Sequence, residues 1–141
     1  MVQVIQAGSD HFEKVWDLLM EFREKYHNEP INKRVAQEAL RKMLKEDIVF
    51  IASDGGEAVG LIIGQLIVHP MLRGYVGQEL AWYSTTPCSG IRLLKAFEEK
   101  CYDEGADYVS MSTLHNNPGV GRILERRGYR PIEIGWRKDL D

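Results

Sequence analysis

The second half of the chain restricts the fold more than any other stretch, because it predicts two strands connected through a helix. Residues 76–84 predict an apolar strand, 85–90 a turn of small residues, 91–104 an amphipathic helix, and 108–112 a second strand. A helix between two strands returns the chain to the same end of a sheet, so we expect these strands to lie parallel. A strand that enters a helix through small residues also gathers unpaired backbone N–H groups, which favours a phosphate site.

The flanking segments predict a mixed sheet with helices on both faces. Apolar residues at helical spacing predict helices over about 10–26 and 33–46. The turn Asp54-Gly55-Gly56 predicts a hairpin between two β-rich segments. The predicted order is β-α-α-β-β-β-α-β-α-β. The strands outside the central unit are predicted at 2–7, 48–53, 58–69 and, as one or two strands, 129–137.

Several polar residues predict where the helices begin. Asp10 with Glu13 resembles a capping box for the first helix, and Asn32 is expected to cap the second. Asn117 followed by Pro118 predicts the start of the last helix. Trp16 and Trp136 are expected to be packing residues.

Length and charge narrow the class of function. A chain of 141 residues is long enough for one domain, residues 1–141, with a substantial core. Its net charge of −3 argues against general nucleic-acid binding and favours an amine-bearing partner. No apolar run approaches the length of a membrane span, and no signal peptide is visible, so we expect a cytoplasmic protein without a membrane partner. Two cysteines, Cys88 and Cys101, cannot form a metal site alone, so no metal is predicted, and Cys101 is expected in the core.

The element order and three segments resemble the GNAT superfamily of N-acetyltransferases. The segments are 79–83 (ELAWY), 93–98 (LLKAFE) and 124–129 (LERRGY), the last being similar to the family ending L-x-x-x-G-F/Y. The resemblance covers nearly the whole chain. It implies an α/β fold with a mixed sheet of six to seven strands and about four helices on both faces. It also implies acetyl-CoA as acyl donor, direct transfer to a primary amine, and compatibility with a homodimer.

The resemblance also implies a set of cofactor residues. In the family, the strand before the turn splays from the next parallel strand, and the pantetheine arm of CoA lies in the gap. Backbone groups of Trp82, Tyr83 and Ser84 would then bind the arm. The residues implied at the pyrophosphate are Cys88, Ser89, Gly90, Ile91 and Arg92. Asn116 and Asn117 occupy the place where the family often has an asparagine that binds the arm, although capping of the last helix also explains Asn117.

The turn departs from the family signature Q/R-x-x-G-x-G/A. With Gly90 at the last position, Cys88 replaces the first glycine and Thr85 replaces the Gln/Arg, and the turn is shorter than usual. Either fewer N–H groups hold the phosphates or the helix begins later than residue 91. The departure also motivates an alternative function, a catalytically degenerate module of the same fold that binds or regulates.

Acetyl transfer requires a proton acceptor for the amine and an acid for the leaving thiolate. Glu79 is the candidate base by family analogy, and an exposed strand carboxylate is the equally weighted alternative. The family's usual acidic tyrosine position holds Leu124. Tyr83 and Tyr129 are candidate substitutes, although a tyrosine beside a strand is more often a packing residue. The acceptor site is expected beside Tyr26, His27, Glu29 and the turn at 70–74, for an acceptor that is either a small molecule or a protein amine.

Overall fold

The computed structural model describes residues 1–27, 29–71 and 74–140, and in them one mixed sheet lies between two layers of helices. The strands are β1 (Val2–Gln6), β2 (Ile48–Asp54), β3 (Glu57–His69), β4 (Gly74–Ser84) and β5 (Tyr108–Ser110). The helices are α1 (Phe12–Tyr26), α2 (Lys33–Glu46), α3 (Pro87–Asp103) and α4 (Gly119–Arg126). The predicted α/β class, the helix count and the element order as far as the last helix are confirmed.

The sheet has the order β1-β2-β3-β4-β5, with β5 alone parallel to its neighbour. The hairpin between β2 and β3 is confirmed. Its two-residue turn places Gly55 and Gly56 at φ 60° and 86°, a conformation that favours glycine. The parallel pair β4–β5 is confirmed as well.

The predicted count of six to seven strands is too high for the described residues, which contain five. The predicted strand or strands at 129–137 are wrong, because the chain after α4 runs without regular structure to residue 140. Trp136 is 90% exposed and is therefore not a packing residue. The large apolar side chains of this segment, Ile132, Ile134 and Trp136, are exposed to solvent instead of packing in a layer.

Helix α3 packs against one face of the sheet at close range because two strand positions lack side chains. A Cβ on Gly64 would overlap the ring of Phe97, and a Cβ on Gly77 would overlap Cys101. Phe97 and Cys101 are fully buried, as expected for Cys101. Leu124 of α4 joins this core cluster, so the fourth helix covers the same face.

Helices α1 and α2 cover the opposite face through a second cluster of apolar residues. Trp16 is 7% exposed and packs in that cluster, as predicted. The Asn32 side chain accepts a hydrogen bond from the Val35 N–H at 3.3 Å, so the predicted cap of α2 is confirmed.

Three other helix starts differ from the predictions. Helix α3 begins at Pro87 rather than residue 91, so the possibility of a later start is wrong. Helix α1 follows a 3₁₀ turn over Ser9–His11 and has no side-chain cap from Asp10. Helix α4 begins at Gly119 with Pro118 as its N-cap, and Asn117 does not cap it.

The segment after α4 crosses from the α3 face toward the end of α1. Near its start, the Tyr129 hydroxyl donates to Glu98 of α3 at 2.6 Å. Near its end, Arg137 forms an ion pair with Glu29, which follows α1. Among the helices in the described ranges, none is long and apolar enough to cross a membrane.

Candidate active site

The candidate site begins where β4 and β5 separate. Their pairing covers only Val76–Gln78 of β4 and Tyr108–Ser110 of β5, although β4 continues to Ser84. From Glu79 onward, the backbone of β4 therefore has no strand partner on this side within the described ranges. An edge of this kind presents free N–H and C=O groups to an extended ligand. The predicted splay between the two parallel strands is thus present.

Gln78 lies at the point of separation and contacts both strands. Its side-chain amide donates to the Glu79 carbonyl oxygen at 3.0 Å and to the Ser110 carbonyl oxygen at 3.4 Å. These bonds satisfy one carbonyl on each side of the closed end of the gap. Gln78 therefore closes the narrow end and leaves the wider part of the gap open.

Glu79 is the buried carboxylate of this site. Its side chain is 8% exposed, so the alternative of an exposed strand carboxylate does not apply. The Glu79 Oε1 atom accepts a hydrogen bond from the Ser112 N–H at 2.9 Å, across the gap. Burial raises the pKa of Glu79 from 4.5 to about 7, against the smaller opposing effect of the Ser112 hydrogen bond. A carboxylate with a pKa near neutrality is suited to accept a proton under ordinary conditions.

A β-bulge lies immediately beside Glu79. Gly64 pairs with Glu79 and Ile63 pairs with Ala81, so Leu80 has no partner on β3. A bulged residue leaves the ladder of hydrogen bonds locally disrupted and is often found beside active sites. The Leu80 N–H is therefore a candidate donor next to the candidate base.

The start of α3 satisfies most of its own N–H groups. Pro87 has none, and the Ser89 N–H donates to the Thr86 hydroxyl at 3.4 Å. The Gly90 N–H donates to the Thr86 carbonyl at 3.3 Å. Within the described residues, the Cys88 N–H is the amide of this first turn that is left for a ligand. The Cys88 side chain is exposed at this position.

The other predicted pyrophosphate residues differ in placement. Ser89 and Gly90 are buried, and Gly90 packs closely on Ser84, where an added Cβ would lie 3.2 Å from its hydroxyl oxygen. Ile91 is half-buried in the second turn of α3. The Arg92 guanidinium donates to the Val2 carbonyl oxygen on β1. The helix start thus gathers Cys88 and Ser89 but does not bring the Arg92 charge to them.

Trp82 and Ser84 connect the end of β4 to this helix start. The Trp82 indole N–H donates to the Gly90 carbonyl oxygen at 3.0 Å. The Ser89 hydroxyl donates to the Ser84 hydroxyl at 3.0 Å. Both side chains therefore hold the strand against the helix, and their backbone groups remain the parts assigned to a pantetheine arm.

Tyr83 lies on the α1 side of the sheet. Its hydroxyl donates to the Glu21 carboxylate at 2.5 Å, and its ring stacks on Phe22 with centroids 5.1 Å apart. Burial and the Glu21 carboxylate raise the pKa of Tyr83 to about 12. This placement favours the packing interpretation, and a role as proton donor stays a prediction.

Asn116 connects the loop after β5 to the end of α1. Its side-chain amide donates to the Tyr26 carbonyl oxygen at 3.2 Å. Asn117 donates through its backbone N–H to the Leu114 carbonyl oxygen at 3.0 Å. The structure therefore places Asn116 beside the residues expected to border the acceptor.

A cavity of about 350 Å³ lies on the α1–α2 side, next to the bulge. We call it the α1–α2 cavity. It is formed by side chains of α1, α2, β3 and β4, and most of them are apolar. Its lining includes Trp16, Phe22, Leu40, Met43, Ile63 and Leu80. Arg23 and His27 are the ionisable side chains of the lining.

Three features of the site were missed from sequence: the Gln78 contacts, the Leu80 bulge and the Ser112 donor. Gln78 is a polar residue in an apolar strand, and this pattern is a weak indication that its side chain makes a specific contact. The bulge and the Ser112 contact arise from pairings between distant parts of the chain, so no local sequence pattern predicts them.

The fold of this chain is similar to that of known proteins, although its sequence is not. No protein-family model matches the sequence, and no curated protein matches it either. Among solved structures, the chain is similar over its whole length to acetyltransferases of the GNAT fold, at low sequence identity. The chain therefore has the GNAT fold, as the resemblance implied.

Three solved structures that are similar to this chain illustrate the range. A transcriptional regulator from Bacillus halodurans is 17% identical, with a TM-score of 0.82 over 99% of this chain and 100% of that chain. A ribosomal-protein-alanine N-acetyltransferase from Brucella melitensis is 12% identical, with a TM-score of 0.79 over 100% of both chains. An aminoglycoside N-acetyltransferase in complex with CoA is 16% identical, with a TM-score of 0.79 over 99% and 96%.

Proposed function

We propose that the protein is an N-acetyltransferase that moves an acetyl group from acetyl-CoA directly to a primary amine. The observation that carries the proposal is the buried Glu79 carboxylate at the point where β4 and β5 separate, with its pKa raised to about 7. The fold likeness to acetyltransferases, one of them in complex with CoA, supports the same class of reaction.

The residues of the gap fit the extended arm of an acyl-CoA. The unpaired edge of β4, including the backbone of Trp82, Tyr83 and Ser84, would hold the arm. The Cys88 N–H at the start of α3 would meet the phosphates, whereas the Ser89 hydroxyl is already bonded to Ser84. Acetyl-CoA would supply the acetyl group as a thioester. Both cysteines are free thiols, which is compatible with a reducing compartment such as the cytoplasm.

In the proposed reaction the amine nitrogen attacks the thioester carbonyl, so that a C–N bond forms and the C–S bond breaks. The Glu79 carboxylate takes the proton that the amine loses. The Leu80 N–H donates to the carbonyl oxygen as its negative charge develops. The thiolate leaves and takes a proton from solvent, because a thiol is a tolerable leaving group near neutral pH. Tyr83 would donate the proton to the thiolate only if its hydroxyl first lost its hydrogen bond to Glu21.

The test combines binding with turnover. CoA or acetyl-CoA at about one hundred times its Kd should add about 2.7 kcal/mol to the free energy of unfolding, seen as a rise in Tm. ATP serves as a control for a general phosphate effect. Acetyl-CoA with a panel of primary amines should release free thiol and yield the acetylated amine by mass spectrometry. Absence of any Tm shift with either CoA ligand would refute the proposal.

A second candidate is a binding or regulatory module of the same fold. It is favoured by the start of α3, where most N–H groups are already bonded within the chain, and by the likeness to a transcriptional regulator. A Tm shift with CoA but no acetylation of any amine in the panel would support this module over the enzyme.

A further inference from the structure

The α1–α2 cavity adjoins the proposed reaction centre. Leu80 lines the cavity and directly follows Glu79, so the bulge borders both sites. Leu80 is therefore a common boundary of the cavity and the proposed reaction centre.

The size of the cavity limits what it can hold. Its volume of about 350 Å³ is at the lower end of small-molecule pockets, which span roughly 300–1,000 Å³. A single aromatic or branched aliphatic group matches this volume better than a sugar oligomer. Trp16, Phe22 and Met43 provide an apolar lining for such a group.

The charge of the lining is one-sided. Among the residues that the structure describes, no carboxylate lines the cavity, so a polyamine or aminoglycoside would find no counter-ion in them. Arg23 is half-buried at the lining, and within the described ranges it forms no ion pair. A guanidinium in this state is suited to bind a carboxylate.

We propose that the acceptor is an α-amino acid with an apolar side chain. Its side chain occupies the α1–α2 cavity, its carboxylate binds Arg23, and its α-amine faces Glu79 across Leu80. This inference rests on the proposed function and narrows the acceptor class. It distinguishes the acceptor proposed for this chain from an aminoglycoside, as in the name of the similar aminoglycoside N-acetyltransferase.

The first test compares acceptors. We expect kcat/KM for L-phenylalanine and L-leucine to exceed that for phenethylamine, which lacks the carboxylate, by about tenfold or more, because a charge-assisted bond is lost. Spermidine should be the poorest acceptor. The Arg23→Gln variant should reduce the preference for L-phenylalanine over phenethylamine to near unity. Arg126→Gln, on the exposed surface of α4, is the matched control and should leave the preference unchanged.

The second test measures binding without turnover. Ala39 is an exposed residue of α2 at the cavity lining, so Ala39→Phe should obstruct the cavity without disturbing the core. Calorimetric titration with L-phenylalanine in the presence of CoA should show binding to the wild type, at least tenfold weaker binding to Ala39→Phe, and unchanged binding to Lys45→Phe. Lys45 lies on the same helix outside the cavity lining.

The outcomes separate the two proposals. Efficient acetylation of spermidine but not of L-phenylalanine would overturn the acceptor assignment and leave the acetyltransferase in place. Binding of L-phenylalanine that Ala39→Phe abolishes, without acetylation of any amine, would support the cavity assignment and refute the enzyme. Absence of L-phenylalanine binding, or a wild-type dimer that Ala39→Phe dissociates, would overturn the cavity assignment, the latter because a second copy would be its occupant.

Discussion

Replacement of Glu79 by glutamine tests the proposed base with little change of shape. Glutamine keeps an oxygen that can accept the Ser112 N–H, so the contact across the gap survives. What the variant loses is the ability to accept a proton. General-base catalysis typically accelerates a reaction by about 10²–10⁴-fold. We therefore expect kcat of the variant to be lower than that of the wild type by a factor in that range.

The pH dependence follows from the pKa of about 7. Only about one tenth of Glu79 is ionised one unit below its pKa, so wild-type kcat/KM should fall about tenfold per unit below pH 7. The variant should lack this limb. The rate is measured from pH 5.5 to 9 with a disulfide reagent that reports thiol at low pH. An unchanged profile in Glu79→Gln would refute the assignment.

The same carboxylate should be visible in stability. Its pKa is raised on folding from 4.5 to about 7, so the favourable contribution is complete below 4.5 and is lost as pH rises through 7. A difference of about 2.5 in pKa corresponds to about 3 kcal/mol. The wild type should therefore lose up to about 3 kcal/mol relative to Glu79→Gln between pH 4.5 and 8, measured by urea unfolding. Glu57→Gln, at an exposed position of the same sheet, is the control and should show no such divergence.

Three further predictions concern packing and access. Gly64→Ala should lower the free energy of unfolding by about 2 kcal/mol or more, because the added methyl group meets Phe97. Gly121→Ala in α4, with open space around the added methyl group, should raise the free energy of unfolding by about 0.5–1 kcal/mol. Equal effects of the two substitutions in chemical denaturation would contradict the packing. Tyr83→Phe should cost about 1–2 kcal/mol through loss of the Glu21 bond, with kcat within a few-fold of wild type; a loss of kcat of a hundredfold would instead identify Tyr83 as the acid. Iodoacetamide should alkylate exposed Cys88 and spare buried Cys101, whose pKa burial raises to about 11, and CoA should slow the reaction at Cys88; labelling by mass spectrometry that CoA does not affect would remove Cys88 from the phosphate site.

Local signals predicted the parts of the fold that depend on few neighbouring residues. Two glycines at positive φ mark the β2–β3 hairpin, and Gly105 at φ 87° marks the end of α3. The start of α3 also had a local signal that was overlooked. Thr86 followed by Pro87 is a good N-cap and first residue, but the small, weak helix formers that follow favour a turn when only the local sequence is considered.

The rest depends on contacts that sequence patterns do not contain. The segment after α4 was expected to form strand, yet a strand also needs a paired edge, and β5 has only three residues. Glu79 was equally compatible with an exposed and a buried carboxylate. Its burial follows from the closing of the gap by Gln78 and from the N–H of Ser112, which is 33 positions away.

The two glycines of the strands beneath α3 affect how ligand binding can vary when the sequence of such a protein changes. Gly64 and Gly77 let the helix settle directly on the backbone of β3 and β4, and the same helix begins beside the open gap. The distance between α3 and the sheet thus also determines the position of the first N–H group of the helix, that of Cys88, relative to β4. A substitution at either glycine would shift this distance even though neither residue belongs to the start of α3. Variation in ligand affinity among descendants of this sequence should therefore be sought beneath the helix as well as at its start.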